Sequence, residues 1–385
     1  MKTIGVVGAS GQIGCELAQE LARRPGVKCV AFCRNGVSAA FLKLQGLEPT
    51  IVDLAGRTPE ALAKMTDVDV VVNCALETGD IGTATARNRA LLVGLLAWLN
   101  AAPNRTLIHL STISVFGMSL TYPNYWPAER PFGGYGAYKK AGDDFLRRAR
   151  IAHGNRLGIW RIGAAYGENQ FATRDFVGMA LDQRIALPLE GAQPANLISI
   201  ELMAACVCRF AEDPALPGGV MSIHEEPNLT WAQTFDIVAD SIGVTRRRRL
   251  TKEESATYQP APPAGLVRIV GAMARRAAGG MFADLSDWLR ASEAARAMAK
   301  LPMSVETALR FRYDRGKARA GALDVGVRWI VPDYFYRGAL PGPNIFNVAH
   351  LDAPVSWLVS HSGRLAEIAR EMRAAPERSK VAAKP

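Results

Sequence analysis

The sequence predicts an α/β protein built on a doubly wound parallel sheet, with a smaller C-terminal substrate-binding domain and an additional basic, mainly helical extension. Three observations carry that expectation. Short β-branched runs alternate with amphipathic helical stretches through the first 165 residues, the pattern of successive βαβ units. A glycine-spaced turn, Gly8-Ala9-Ser10-Gly11-Gln12-Ile13-Gly14, stands between the first run and the first helical stretch. Composition supplies the third: 49% of the 385 residues are hydrophobic and 21% charged. That is enough apolar material for two or three packed domains at about 100–200 residues each, and too balanced for a disordered or fibrous chain.

Taken in order, strands are expected at 3–7, 28–33, 49–53, 68–75, 106–111 and 157–162, with helices at 12–24, 84–100 and 137–152. Beyond Tyr166 the pattern loosens into Pro/Gly-rich turns and isolated helices, which suits a smaller domain over the open end of the sheet. The expected division is therefore 1–165 for the sheet domain, with some return of chain from 195–225, then 166–245, then 246–385. The longest strongly apolar run, 90–99, is too short to span a bilayer, which demands roughly 18–20 residues. The opening residues read directly as strand and turn, so no cleaved secretion signal is expected. The six cysteines show neither C-x-x-C nor zinc-ligand spacing. They read as reduced thiols of a cytoplasmic protein, and no metal site is expected.

Each residue type in the glycine turn has a physical reason. Gly8 permits a tight bend, Gly11 removes a side chain where a pyrophosphate must approach the backbone, and Gly14 lets helix and strand pack closely. Ser10, Gln12 and Ile13 complete the contact surface, and the helix N-terminus offers unpaired N–H groups to phosphate. This strand–turn–helix context is the dinucleotide-binding arrangement of a Rossmann sheet. At the end of the second strand the chain reads Phe32-Cys33-Arg34-Asn35, without the carboxylate that holds an NAD ribose. Arg34 favours a 2′-phosphate and hence NADP; the alternative is a solvated arginine beside an NAD ribose held by Asn35 or Ser38. Asp53 suits either the adenine amino group or a strand-end turn. Leu54 and Ala75, at the ends of the third and fourth strands, are grouped with the cofactor contacts.

Tyr135-Gly136-Ala137-Tyr138-Lys139 has Y-x-x-x-K spacing, which places phenol and ammonium on one helix face. A nearby cation is expected to favour phenolate and lower the tyrosine pKa, equipping Tyr135 for proton relay during hydride transfer. Tyr138 competes as the reactive phenol, but its i+4 residue is Gly142, which carries no charge. His109-Leu110-Ser111-Thr112 ends a strand on the side of the sheet where open α/β folds bind ligands. A hydroxyl there would orient a substrate oxygen toward Tyr135.

With these motifs in this order, the chain resembles the extended short-chain dehydrogenases/reductases, the NAD-dependent epimerase/dehydratase family, over roughly residues 1–243. Val115-Phe116-Gly117 matches a V-Y-G element, Asn88 with Leu95-Leu96 an N-V-x-G-T-x-x-L-L pattern, Arg161 with Tyr166-Gly167 an R-x-x-x-x-Y-G strand end, and residues 198–204 an I-x-V-x-D-x-A element. The resemblance implies that Tyr135, Lys139, Thr112 and Ser111 are catalytic, Thr112 being the better match to the assisting hydroxyl. It adds Asn88, Tyr135 and Lys139 to the cofactor contacts, and implies a nucleotide-sugar substrate and homodimerisation. Where dehydratases of the family carry an acidic pair, this chain has Ile113 and Ser114, which argues against 4,6-dehydration. The expected activity is NAD(P)-dependent oxidoreduction or epimerisation at a hydroxyl or keto carbon. A non-catalytic NADP(H)-binding protein that docks through its basic region is the alternative.

Charge is unevenly placed. Residues 246–385 carry 24 Lys/Arg against 13 Asp/Glu, whereas residues 1–245 carry 22 against 23. The stretch 264–282, with three arginines and no acid, suits either a helix lying on anionic lipid at the inner face of a membrane or, preferably, an ordinary packed helix. Residues 329–336 read as core before lid or dimer contact. Arg246 to Arg249 lack interleaved aromatics and a recognisable binding module, so no nucleic-acid partner is expected.

Overall fold

The computed structural model describes residues 1–56, 58–77, 81–116, 129, 131, 133–181, 191–192, 194–225, 228–245 and 357–374. The segments 246–249, 264–282 and 329–336, and the terminal residues from 375, lie outside the described residues.

Among the described residues, seven parallel strands form one sheet: β1 (Lys2–Val7), β2 (Val27–Cys33), β3 (Pro49–Ile51), β4 (Val70–Asn73), β5 (Thr106–Thr112), β6 (Arg156–Ile162) and, later in the chain, a strand at Gly219–Ile223. The central strands read as continuous apolar runs because both their faces are covered. All of β4 and β5 is buried. The spatial order is β3-β2-β1-β4-β5-β6, with the Gly219–Ile223 strand outermost beside β6. Chain direction across the sheet therefore reverses between β1 and β4, and a crevice opens there at the carboxyl edge.

Helix α1 (Gln12–Arg23) turns Cys15, Leu17, Ala18 and Leu21 toward one face of the sheet. On the same side, α2 (Gly36–Leu44) buries Ala39 and Leu42, while on the other face α3 (Pro59–Ala63) and α4 (Ile81–Asn100) bury Ala61, Leu92, Leu95, Trp98 and Leu99. Helix α5 (Gly133–Arg147) packs beside α4 and along β5. It begins four residues before the sequence-predicted start at 137, which brings Tyr135 inside the helix rather than onto the loop before it.

After β6 the short strands β7 (Ala165–Tyr166) and β8 (Ile198–Ser199) pair in parallel, with α6 (Phe171–Leu181) between them. Helix α7 (Ile200–Glu212) then packs on α1, and the chain rejoins the main sheet as β9, the Gly219–Ile223 strand. Helix α8 (Trp231–Ser241) opens with a full capping box between Thr230 and Gln233. A second core gathers Phe176, Trp231 and Phe235, whose rings meet at 5.6–6.2 Å. Two helices from far along the chain, α9 (Trp357–Ser360) and α10 (Ser362–Ala374), complete it: Trp357 meets Tyr166 edge-on at 6.0 Å, and Leu365 and Ile368 are fully buried.

The two layers are locked by Glu16. Its carboxylate accepts from the Glu168 and Asn169 amides at 2.7 and 3.0 Å and from Gln170 Nε2 at 2.7 Å. Helix α1 thereby fixes the loop leading into α6.

Candidate active site

The glycine turn is shaped for a close approach. Gly8 has φ +78°, a left-handed conformation that side chains disfavour, and a Cβ there would lie 2.7 Å from the backbone of Ala75. A Cβ on Gly14 would overlap the Gly8 carbonyl. Gly11 is the N-cap of α1 and no side chain caps the helix, so first-turn N–H groups at Gln12 and Ile13 remain for an anion. Ser10 lies half-buried within the turn. This cradle, side-chain-free where a pyrophosphate must touch the main chain, fits a dinucleotide.

Ala75 is held against the turn by residues that periodicity did not single out. Its N–H donates to Asn73 Oδ1 at 3.1 Å, and the Asn73 amide faces His109 Nδ1 at 2.9 Å. Burial, reinforced by the nearby Lys139 charge, drives the His109 pKa down to about 3, so the imidazole is neutral. With Asn73 donating to Nδ1, the ring proton resides on Nε2.

Arg34 follows β2 immediately, as expected, but its guanidinium is engaged: Nη1 lies 2.9 Å from Glu77 Oε2. Asn88 clamps the Glu77 main chain from both sides, accepting from its N–H at 2.8 Å and donating to its carbonyl at 2.9 Å. Asp53 accepts from the Ala55 amide at 3.1 Å, the strand-end turn role. Leu54 is a core residue packed with α4.

Successive residues of β5 point to opposite faces, and this separates the two candidate hydroxyls. Thr112 lies close enough to the Tyr135 phenol to influence its titration, and its hydroxyl donates to Ser114 Oγ at 3.2 Å. Ser111 is buried beside the Asp143 carboxyl. Gly136 makes the first contact possible, because a Cβ there would lie 2.7 Å from the Ser114 carbonyl and hold α5 off the strand end.

Lys139 lies one helical turn beyond Tyr135. It is buried, and its Nζ donates to the Leu110 carbonyl at 2.7 Å. Burial lowers its pKa to about 8, against the opposing influence of Asp143 and Cys74. The expected depression of the Tyr135 pKa is not what this arrangement produces. Desolvation around the phenolic oxygen raises it although the side chain is half exposed, the nearby Thr112 hydroxyl pulls the other way, and the ammonium is directed at Leu110.

Beneath the pair, Arg161 of β6 reaches Asp143 of α5 at 3.1 Å and Glu129 at 2.7 Å, and its guanidinium stacks 4.8 Å from the Phe116 ring. Burial alone would raise the Glu129 carboxyl, but Arg147 and Arg161 overcome it and hold the group at about 2. The Arg161–Asp143 pair is almost completely buried, so it fixes the register of α5 against the sheet. Among the described residues no group of three or more His, Cys, Asp or Glu side chains could hold a metal ion, and no helix is long and apolar enough to cross a membrane.

The parallel sheet and its glycine cradle define a dinucleotide-binding α/β protein. A family model described as the NAD dependent epimerase/dehydratase family matches residues 4–200; the chain belongs to this family of enzymes. Among solved structures it is similar to UDP-glucuronic acid 4-epimerase from Bacillus cereus in complex with NAD, with a TM-score of 0.51 and 19% identity over 68% of this chain and 94% of that one. UDP-N-acetylglucosamine 4-epimerase from Methanobrevibacter ruminantium M1, in complex with UDP-N-acetylmuramic acid, gives a TM-score of 0.51 at 17% identity, covering 65% of this chain and 86% of that one. ADP-L-glycero-D-manno-heptose-6-epimerase from Helicobacter pylori gives 0.51 at 19%, with coverages of 65% and 86%. At these identities the likeness is one of fold. A search among curated protein sequences finds no match.

Proposed function

We propose that this protein is an NAD(P)-dependent oxidoreductase or epimerase acting at a hydroxyl or keto carbon, with a nucleotide-sugar as substrate. The observation that carries the reading is the proximity of Tyr135 to Thr112 at the carboxyl end of β5, with Lys139 anchored to the same strand one helical turn on. That strand end is two strands from the glycine cradle on β1, or about 10 Å at roughly 4.8 Å per strand, a separation that half a dinucleotide bridges.

Gly8, Gly11 and Gly14 admit the pyrophosphate to the main chain, and the α1 N-terminus opposes its charge. A bound nicotinamide supplies hydride exchange at the substrate carbon. Thr112 Oγ1 hydrogen-bonds the substrate oxygen and aims it at Tyr135. The Tyr135 oxygen then takes the hydroxyl proton on oxidation and returns it on reduction, as general base and general acid in turn. Lys139, fixed beneath by Leu110, keeps a positive charge under this edge at neutral pH.

Ile113 is fully buried and Ser114 is tied to Thr112. Neither supplies the carboxyl that elimination of water would use, which favours redox or epimerisation over dehydration. The nucleotide-sugar class is supported by family membership and by the substrates named for the similar folds.

Tyr135→Phe tests the reading directly. Turnover of a responsive nucleotide-sugar is expected to fall by about 10²–10⁴-fold, while dinucleotide affinity stays within about twofold. Undiminished turnover would remove Tyr135 from the chemistry.

A further inference from the structure

We infer that Glu77 sets the dinucleotide choice in favour of NAD, by supplying from the β4 side the carboxylate that the end of β2 lacks. The inference rests on the proposed binding of a dinucleotide in the glycine cradle. It reverses what Arg34 alone would imply.

Strand register fixes the location. Val7, the last residue of β1, pairs with Phe32 on one side and Asn73 on the other. Arg34 lies two residues beyond Phe32, and Glu77 four beyond Asn73. The ion pair between them therefore links the segments that follow the two strands flanking β1, across the end of the strand that leads into the glycine turn. In a sheet of this kind the group at the end of β2 faces the adenosine ribose, where a carboxylate accepts the 2′-hydroxyl and an arginine receives a 2′-phosphate. Here both side chains are present, and they hold each other.

Glu77 is tightly placed. Asn88 secures its main chain at both the N–H and the carbonyl. Its two oxygens are divided between Arg34 Nη1 at 2.9 Å and Arg87 Nη1 at 3.7 Å. A carboxylate between two guanidiniums occupies the electrostatic position that a 2′-phosphate would take.

These residues are partly exposed, so the pair contributes little to folding. Its consequence is selective. A 2′-phosphate arriving at Arg34 must displace Glu77 and then lie beside its negative charge, whereas a 2′-hydroxyl can donate to the same carboxylate. The anionic group is penalised and the neutral one is accepted.

The test measures Kd for NAD⁺ and NADP⁺ on the full chain by titration calorimetry. Wild-type protein is expected to bind NAD⁺ more tightly. Glu77→Gln, which keeps the side-chain length and leaves the Asn88 clamp intact, is expected to lower the NADP⁺/NAD⁺ Kd ratio about tenfold, equivalent to about 1.4 kcal/mol. Adding Arg34→Ala to that variant should abolish the gain. A second arm is independent of how Glu77→Gln folds: with Arg34 already engaged by Glu77, Arg34→Gln alone should change NADP⁺ affinity by less than about threefold. A wild-type preference for NADP⁺, a roughly tenfold loss of NADP⁺ affinity in Arg34→Gln, or an unaltered ratio in folded Glu77→Gln overturns the inference and leaves dinucleotide binding standing. If wild-type protein binds neither nucleotide, the underlying functional reading fails with it.

Discussion

The ammonium of Lys139 on α5 donates to the main-chain oxygen of Leu110 on β5 at 2.7 Å, one residue before the buried Ser111 and two before Thr112. A single buried cation thus ties the helix that carries Tyr135 to the strand that carries its hydroxyl partner. Because the charge is desolvated, its titration is coupled to folding.

Lys139 has a folded pKa near 8 against an ordinary value of 10.5. Between these values the unfolded chain holds more protons than the folded one, so stability rises with pH across that window. The gain expected from this group is about 3 kcal/mol. Urea denaturation at pH 7.5 and 9.5 should show the rise in wild-type protein and its absence in Lys139→Met. Parallel profiles for the two proteins would contradict the assignment.

Gly136 governs how closely α5 approaches the end of β5. Its Cβ in Gly136→Ala would meet the Ser114 carbonyl at 2.7 Å, and the helix must retreat. Opening the Tyr135–Thr112 contact by about 1 Å is expected to cost on the order of 10²-fold in kcat, with dinucleotide Kd unchanged because the glycine cradle lies on another strand. Steady-state kinetics beside a binding titration separate these effects, and an unchanged kcat would show that the close approach is dispensable.

Glu225 follows β9 and is buried, accepting from the Tyr166 hydroxyl and from the Ser199 amide at 3.3 Å. Burial raises its carboxyl to about 7 from 4.5, outweighing those hydrogen bonds. The folded state therefore holds the extra proton between pH 4.5 and 7, and this group's contribution declines as pH rises through that range. Glu225→Gln should remove a loss of about 3 kcal/mol between pH 4.5 and 7, leaving the variant more stable than wild type at pH 7.5. Denaturant midpoints at pH 5 and 7.5 measure it; equal slopes would refute the buried titration.

Much of the architecture was legible in the chain. The alternation of strand and helix, the glycine spacing and the Tyr135-to-Lys139 spacing are local patterns, and local patterns are read from neighbours in sequence. The strand at Gly219–Ile223 was not picked out, because a short edge-bound run after a loose stretch lacks the apolar continuity of β4 and β5. Glu77 was invisible for a different reason. Nothing in its surroundings in sequence marks it, and its significance arises only when β2 and β4 come to flank β1.

The sequence by itself determined the parallel α/β class, the cradle for a dinucleotide and the residue types able to move a proton. These follow from the 3.6- and 2-residue periods and from backbone sterics at glycine, which act over a few residues. Only the tertiary structure decided that Lys139 spends its hydrogen bond on Leu110, that Arg34 is already paired, and that Trp357 and α10 close the second core. Those outcomes depend on which side chains share one buried space. Burial and charge pairing act through distance in space, and the folded chain alone sets that distance.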